Sequence, residues 1–266
     1  MTALNTFDPD IRRVAHLLAD AARAVILPYF RSTSLLTDNK LAGGYDPVTE
    51  ADRAAERAMR AILDTERPAD AILGEEYGNK DGTSGLTWVL DPIDGTRGFV
   101  SGTPTWGVLI AVSDDAGPFY GIIDQPYIGE RFEGAPDGAR LTSPHGSHDL
   151  KTRAARILSE AIVFTTFPEV GTPKDAVAFQ AVSAQAKLTR YGMDCYAYAL
   201  VAAGQIDLVV EAQLQPYDVH APIAVIHAAG GIVTDWQGGP AHHGGRVIAA
   251  ANATIHAEAL AILKDH

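Results

Sequence analysis

The sequence predicts two parts built of mixed α and β structure, an α+β N-terminal half and an α/β C-terminal half. Three observations carry this. Apolar residues recur at helical spacing from residue 8 and again after Thr49. A series of short apolar runs with turn punctuation follows, from Ala71 to Ala135. Beyond residues 134–150, strand-like and helical segments alternate, as they do when helices layer on a sheet. The chain shows no internal repeat and no low-complexity tract. A division near residue 145 separates 1–145 from 146–266.

The elements follow in order. A first helix is predicted over 8–31, with Asp8 as N-cap and Pro9 at the first helical position. Ile11, Val14, Ala15, Leu18, Ala22 and Val25 form its apolar stripe. A Gly-rich hinge, LAGGYDP, leads to a second helix. That helix opens at Thr49, where T-E-A-D reads as a capping box closed by Asp52, and runs to about Leu63. The runs AILGEE, TWVLDPIDG, WGVLIAV, FYGIIDQP and ERFEGA read as strands. Residues 134–150, rich in Gly, Pro, Ser and His, read as a loop or boundary. Then AIVFTT, QIDLVVEA, GGIVTDW and RVIAAA read as strands. DAVAFQAVSAQA, DCYAYALVAAG, VHAPIAVIHAAG and the C-terminal tail read as helices.

Composition excludes several classes of function. The 21 Lys and Arg against 33 Asp and Glu leave a formal net charge of −12. Such a balance argues against nucleic-acid binding and against docking on an anionic membrane. It is compatible with metal ions, cationic ligands or solubility alone. The single cysteine, Cys195, cannot form an intrachain disulfide, and its apolar neighbours place it on the buried side of a helix. No apolar run reaches the ~20 residues of a membrane span. The N-terminal residues lack the basic-then-apolar order of a secretory leader, so a cytoplasmic protein is expected.

Four local patterns carry chemistry. In Trp88-Val-Leu-Asp91-Pro-Ile-Asp94-Gly95-Thr96 an apolar strand runs into a turn with two aspartates three apart. Carboxylates held at a strand end suit hard cations such as Mg²⁺, and free backbone N–H groups at a turn suit a phosphate. Taken singly, Asp-Pro and Asp-Gly are ordinary turn residues. Gly74-Glu75-Glu76 follows another apolar run, and neighbouring carboxylates repel unless a cation joins them. Asp218 sits between a Pro-Tyr turn and an apolar helix, where plain N-capping is the simplest role. The Thr49/Asp52 box is the fourth.

In combination these patterns resemble the Mg²⁺-dependent, lithium-sensitive phosphatases of the inositol monophosphatase superfamily. The family pattern D-P-[IL]-D-G-T stands as Asp91-Pro92-Ile93-Asp94-Gly95-Thr96, and G-E-E as Gly74-Glu75-Glu76. Its threonine-x-x-aspartate element stands as Thr49 to Asp52, and its C-terminal aromatic-Asp as Tyr217-Asp218, with Ala229-Gly230-Gly231 beyond. The resemblance implies a layered αβαβα sandwich of the inositol monophosphatase and fructose-1,6-bisphosphatase type. It implies two to three Mg²⁺ ions, with Mn²⁺ as a substitute and Li⁺ as inhibitor. Glu75, Asp91 and the Ile93 carbonyl would hold the first ion; Asp91, Asp94 and Asp218 the second; a third would sit near Glu75. Glu76 would stand behind them. Thr96 paired with Asp52 would orient and deprotonate the attacking water, and Gly95 and Thr96 would offer N–H groups to the phosphate. A homodimer is implied as well.

In detail the segments from Asp94 to Gly102, Tyr191 to Tyr198 and Asp207 to Asp218 are closest to the histidinol-phosphate phosphatase branch. Asp194 stands where inositol phosphatases carry small neutral residues. With Glu211 it would complement a cationic alcohol, unless it only caps its helix. Arg97 would bind phosphate or pair with an acid. His220 and His227 read as packing or surface residues and His242-His243 as solvated. The expected reaction is therefore Mg²⁺-dependent hydrolysis of L-histidinol phosphate, a step of histidine biosynthesis. Inositol monophosphate, a sugar phosphate or a nucleotide is the alternative ester, and a non-catalytic metal- or phosphate-binding regulator the alternative class.

Overall fold

The computed structural model describes residues 8–33, 37–39, 47–154 and 156–266. The Lys40-Leu-Ala-Gly-Gly stretch and the Gly-rich hinge up to Asp46 lie outside them. The chain begins with α1 (Pro9–Ile26), capped by the Asp8 carboxylate. A two-stranded ribbon, β1 (Thr37–Asn39) with β2 (Pro47–Thr49), leads to α2 (Glu50–Glu66). Next come β3 (Ala71–Gly74), β4 (Gly78–Lys80), β5 (Thr87–Asp94) and the short α3 (Thr96–Ser101). An antiparallel meander then runs through β6 (Gly107–Asp114), β7 (Gly117–Gln125), β8 (Glu130–Ala135), β9 (Gly138–Ser143) and β10 (Gly146–Asp149). The remainder is β11 (Ile162–Thr165), α4 (Pro173–Ser183), β12 (Leu188–Tyr191), α5 (Asp194–Ala202), β13 (Leu208–Leu214), α6 (Pro216–Ala228), β14 (Ile232–Asp235), β15 (Gly245–Ala250) and α7 (Ala253–Lys264).

Among the described residues β3–β10 form an eight-stranded sheet in the order 10-9-8-7-6-5-3-4, and β11–β15 a five-stranded sheet in the order 12-11-13-15-14. Three apolar layers separate five tiers. α1 and α2 bury Leu18, Ile26, Met59 and Leu63 against the outer face of the large sheet. α5 and α6 fill the space between the sheets, joining Leu109, Ile123 and Phe132 to Val209 and Val247. α4 and α7 cover the far face of the small sheet through Phe179, Val182, Ile255 and Leu263. This is the expected αβαβα sandwich.

Three local expectations need correction. The first helix stops at Ile26 rather than at 31, because Pro28 has no N–H to continue the ladder. Residues 134–150 are not a loop: β9 and β10 extend the large sheet as a hairpin, with Ala139 and Leu141 turned inward. The alternation was present, but the Gly and Pro between it mark tight turns. The edge strands β4 and β12 carry polar residues that hid them from an apolar pattern.

Candidate active site

The site begins where β5 loses its regularity. Asp91 pairs with Leu109 and Asp94 with Gly107 on β6, with a register shift between them. Pro92 cannot donate to a ladder, so the irregularity falls where the sequence demands it. In a regular strand residues three apart face opposite sides. Here the bulge brings the Asp91 and Asp94 carboxylates together. Asp91 Oδ1 accepts from the Ile93 N–H at 3.0 Å, which fixes the turn. Gly95 then adopts φ 85°, a left-handed conformation that starts α3.

The partners arrive from three other elements. β3 lies parallel to β5, and the Glu75 N–H donates to Leu90 O at 3.2 Å, so Glu75 emerges beside Asp91. α6 brings Asp218 in its first turn, where Oδ2 accepts from the Gln215 N–H at 2.7 Å. Asp218 is therefore not the expected N-cap, which is Gln215, but the third helical residue closing its capping box, and the same side chain joins the cluster. Oxygens of Asp91, Asp94 and Asp218 all lie within 4.8 Å of one another. From α5, the Cys195 N–H donates to Asp94 Oδ2 at 2.6 Å.

The electrostatics say what such a cluster requires. Burial, then Glu75, Asp94 and Asp218, push the Asp91 carboxyl well above the usual range. Burial, Asp218 and Asp194 do the same to Asp94. Acids crowded this closely share protons unless a cation joins them. Their donors are hard oxygens, which fit a divalent metal such as Mg²⁺ or Mn²⁺.

Asp52 sits behind this cluster, 1% exposed. Its Oδ2 closes the capping box on the Thr49 N–H at 2.8 Å and hydroxyl at 2.6 Å. Its Oδ1 faces the Thr96 hydroxyl at 3.4 Å, and that hydroxyl also lies 3.1 Å from Ile93 O. Burial raises Asp52 to about 6 against the hydrogen bonds from Thr49. A cleft of about 610 Å³ opens beside the acids, and its lining includes Glu75, Gly95, Thr96, Arg97, Asp194 and Glu211. Asp194 is the first residue of α5, follows Met193 as N-cap, and does not cap the helix. Instead it holds φ 46°, packs on Gly95 and Gly98, and accepts from the Thr105 hydroxyl at 3.2 Å. Burial brings it to about 6. Glu211 accepts from the Thr166 N–H and hydroxyl at 2.6 and 2.8 Å and is raised by burial to about 7. Arg97 lies over the Phe167 ring, 4.8 Å from its centroid, at the cleft wall.

Comparison with known proteins decides the family. The model of the inositol monophosphatase family matches residues 9–266. The chain belongs to the inositol monophosphatase family. Members of this family are metal-dependent phosphomonoesterases, and the cluster of Asp91, Asp94 and Asp218 could hold a metal ion. This member is 40% identical over 264 residues to the chloroplastic bifunctional phosphatase IMPL2 of Arabidopsis thaliana, covering 95% of this chain and 75% of the relative. It is 34% identical to a histidinol-phosphatase of Streptomyces coelicolor, covering 96% and 97%. Among solved structures, an inositol monophosphatase from Zymomonas mobilis superposes with a TM-score of 0.85 at 39% identity, covering 96% and 98%.

The two histidines of α6 in this family member make hydrogen bonds within the fold. His220 bridges Ser113 Oγ and His242 O, each at 2.7 Å, and His227 Nε2 accepts from the Val233 N–H at 3.2 Å. His243 is exposed, but His242 is half-buried rather than solvated. Cys195 is buried, and burial holds its thiol well above the ordinary range. Glu56 was missed by sequence reasoning, although it stands four residues after Asp52 and so shares its helix face.

Proposed function

We propose that the protein hydrolyses L-histidinol phosphate to L-histidinol and phosphate, with Mg²⁺ as the metal. The observation that carries the choice of ester is a pair of carboxylates, the buried Glu211 and the half-buried Asp194, lining the cleft beside the acid cluster. A neutral polyol can offer two acids raised toward neutrality by burial only hydrogen bonds, with no charge to hold them ionised. An ammonium or imidazolium carries that charge and stabilises their ionised forms. The 34% identity to a histidinol-phosphatase supports the same reading.

Glu75, Asp91, Asp94, Asp218 and the Ile93 carbonyl would hold two to three ions. When bound, they neutralise the phosphate and make water easier to deprotonate. The rest falls to the chain. Water attacks phosphorus in line as the ester P–O bond breaks. Thr96 Oγ1 takes the water's proton and passes its own to Asp52 Oδ1, whose raised affinity for protons suits it to accept. The departing alcohol takes a proton from solvent. Gly95 and Thr96 would offer backbone N–H groups to the phosphate, and Arg97, stacked on Phe167, lines the cleft wall. In this reading residues 1–145 supply most metal ligands, and 146–266 supply specificity and the last metal aspartate. A cytoplasmic homodimer belongs to the same reading, supported by the acidic balance, the lone buried cysteine and the family resemblance.

The test is phosphate release from a panel of esters with Mg²⁺, with EDTA and with Li⁺. Histidinol phosphate should turn over fastest, only with Mg²⁺, and more slowly with Li⁺. Activity surviving EDTA would overturn the metal chemistry. A preference for inositol monophosphate would overturn the ester, and no turnover of any ester would favour a non-catalytic regulator.

A further inference from the structure

One buried carboxylate beside the cluster has no role in the chemistry just described. Glu56, on α2, is fully buried. Its carboxylate does not point at the cleft. It accepts from the backbone N–H of Glu76 at 2.7 Å and of Tyr77 at 3.2 Å. Arg60, one turn further on, donates Nε to the same carboxylate at 2.7 Å and reaches Gly78 O with its terminal nitrogen.

These contacts complete a set. Of the three amides that follow β3, that of Glu75 is held by Leu90 O on β5. The next two are held by Glu56. The peptide units on both sides of the Glu75 side chain are thus fixed, one side by the large sheet and the other by α2. Gly74 supplies an independent observation. Its backbone is not left-handed, so conformational freedom does not explain a glycine there. A Cβ at position 74 would stand 2.0 Å from Glu56 Oε1 and 2.7 Å from Arg60 Nη2. The space a side chain would need is filled by the carboxylate and its arginine.

We infer that Glu56, backed by Arg60, is a positioning residue for the metal ligand Glu75, and that residue 74 is glycine to admit it. This rests on the reading of Glu75 as a ligand. α2 then serves the site twice from one face, with Asp52 toward Thr96 and Glu56 under the Glu75 turn. Partners that orient a metal ligand typically change affinity 10–100-fold when removed. A purely structural ion pair would instead lower stability equally with and without metal.

The experiment measures Mg²⁺ binding by calorimetry, and Tm in EDTA and at a fixed Mg²⁺ concentration near the wild-type Kd. It compares the wild-type chain with E56Q, G74A and E75Q. E56Q and G74A should bind Mg²⁺ at least tenfold more weakly, and the rise in Tm on adding Mg²⁺ should shrink in both. E75Q sets the size of a lost ligand. Should E56Q fail to fold, G74A decides, since it keeps both charges and the sequence of α2. Wild-type Mg²⁺ affinity in the folded variants, with Tm lowered equally in EDTA and Mg²⁺, would overturn the positioning role alone. Absence of Mg²⁺ binding by the wild-type chain would overturn the metal reading and this role with it.

Discussion

At the scale of single residues, one hydroxyl and one imidazole make the sharpest demands. Thr96 has two acceptors within reach, Ile93 O and Asp52 Oδ1, so its proton can be directed to either. Thr96→Val keeps the shape and removes the relay. It should lower kcat by roughly 100-fold or more, the range of a lost acid–base group, with KM changed little. A change confined to KM would mean that Thr96 only binds. Asp194→Asn should raise KM for a cationic ester about tenfold and leave a neutral ester nearly unchanged; equal losses would make the side chain a packing group. His220 is held at about 4 by burial, against an ordinary 6.5, and faces the Ser113 hydroxyl, the His242 carbonyl and the His242 and His243 rings. The unfolded chain therefore binds this proton first as pH falls. Stability from the neutral imidazole is complete above about pH 6.5 and is lost as pH drops toward 4. Between pH 7.5 and 5 the urea midpoint should fall less in His220→Gln than in the wild type, and identical falls would refute the assignment.

At the scale of elements, the placement of α6 matters most, because Asp218 rides on its first turn. α6 lies on the large sheet through two paired glycines, Gly121 on β7 and Gly134 on β8. A Cβ on Gly134 would stand 2.4 Å from Val225 Cα, and one on Gly121 2.7 Å from Ala221 O. Gly134→Ala should cost about 1–3 kcal/mol by overpacking and weaken Mg²⁺ binding, since the helix must lift. Calorimetry and urea titration check both, and an unchanged Mg²⁺ affinity would uncouple the helix seat from the metal. The pairing of Asp91 with Asp94 was legible in the sequence because its geometry is local: a proline breaks β5 between the two aspartates. The T-E-A-D box was legible for the same reason. Glu56 was not, because its meaning lies in amides twenty residues away. Nor were β4 and β12, where edge position permits polar residues that no periodicity reveals. Asp194 lay between, since its residue type was informative while its contact with Thr105 depends on the fold.

At the scale of the whole molecule, the net charge of −12 acquires a local meaning. Most of it lies outside the acid cluster. A few members, Glu75, Asp91, Asp94 and Asp218, would repel the anionic substrate from the very place it must occupy. Inorganic phosphate should therefore bind only with divalent metal present. Calorimetric titration with Mg²⁺ and with EDTA reads this directly, and comparable phosphate affinity in both would contradict it. No described helix is long and apolar enough to cross a membrane.

The acids that gather in the cluster come from distant parts of the chain. Glu75 and Asp218 are separated by more than half its length, and α6 reaches the large sheet only after the chain has passed through most of the small one. A cation held by both ends would act as a clasp on a very long loop, and closing a long loop is entropically expensive. Resistance to a protease should accordingly rise and fall with magnesium, most of all at the seam between the sheets.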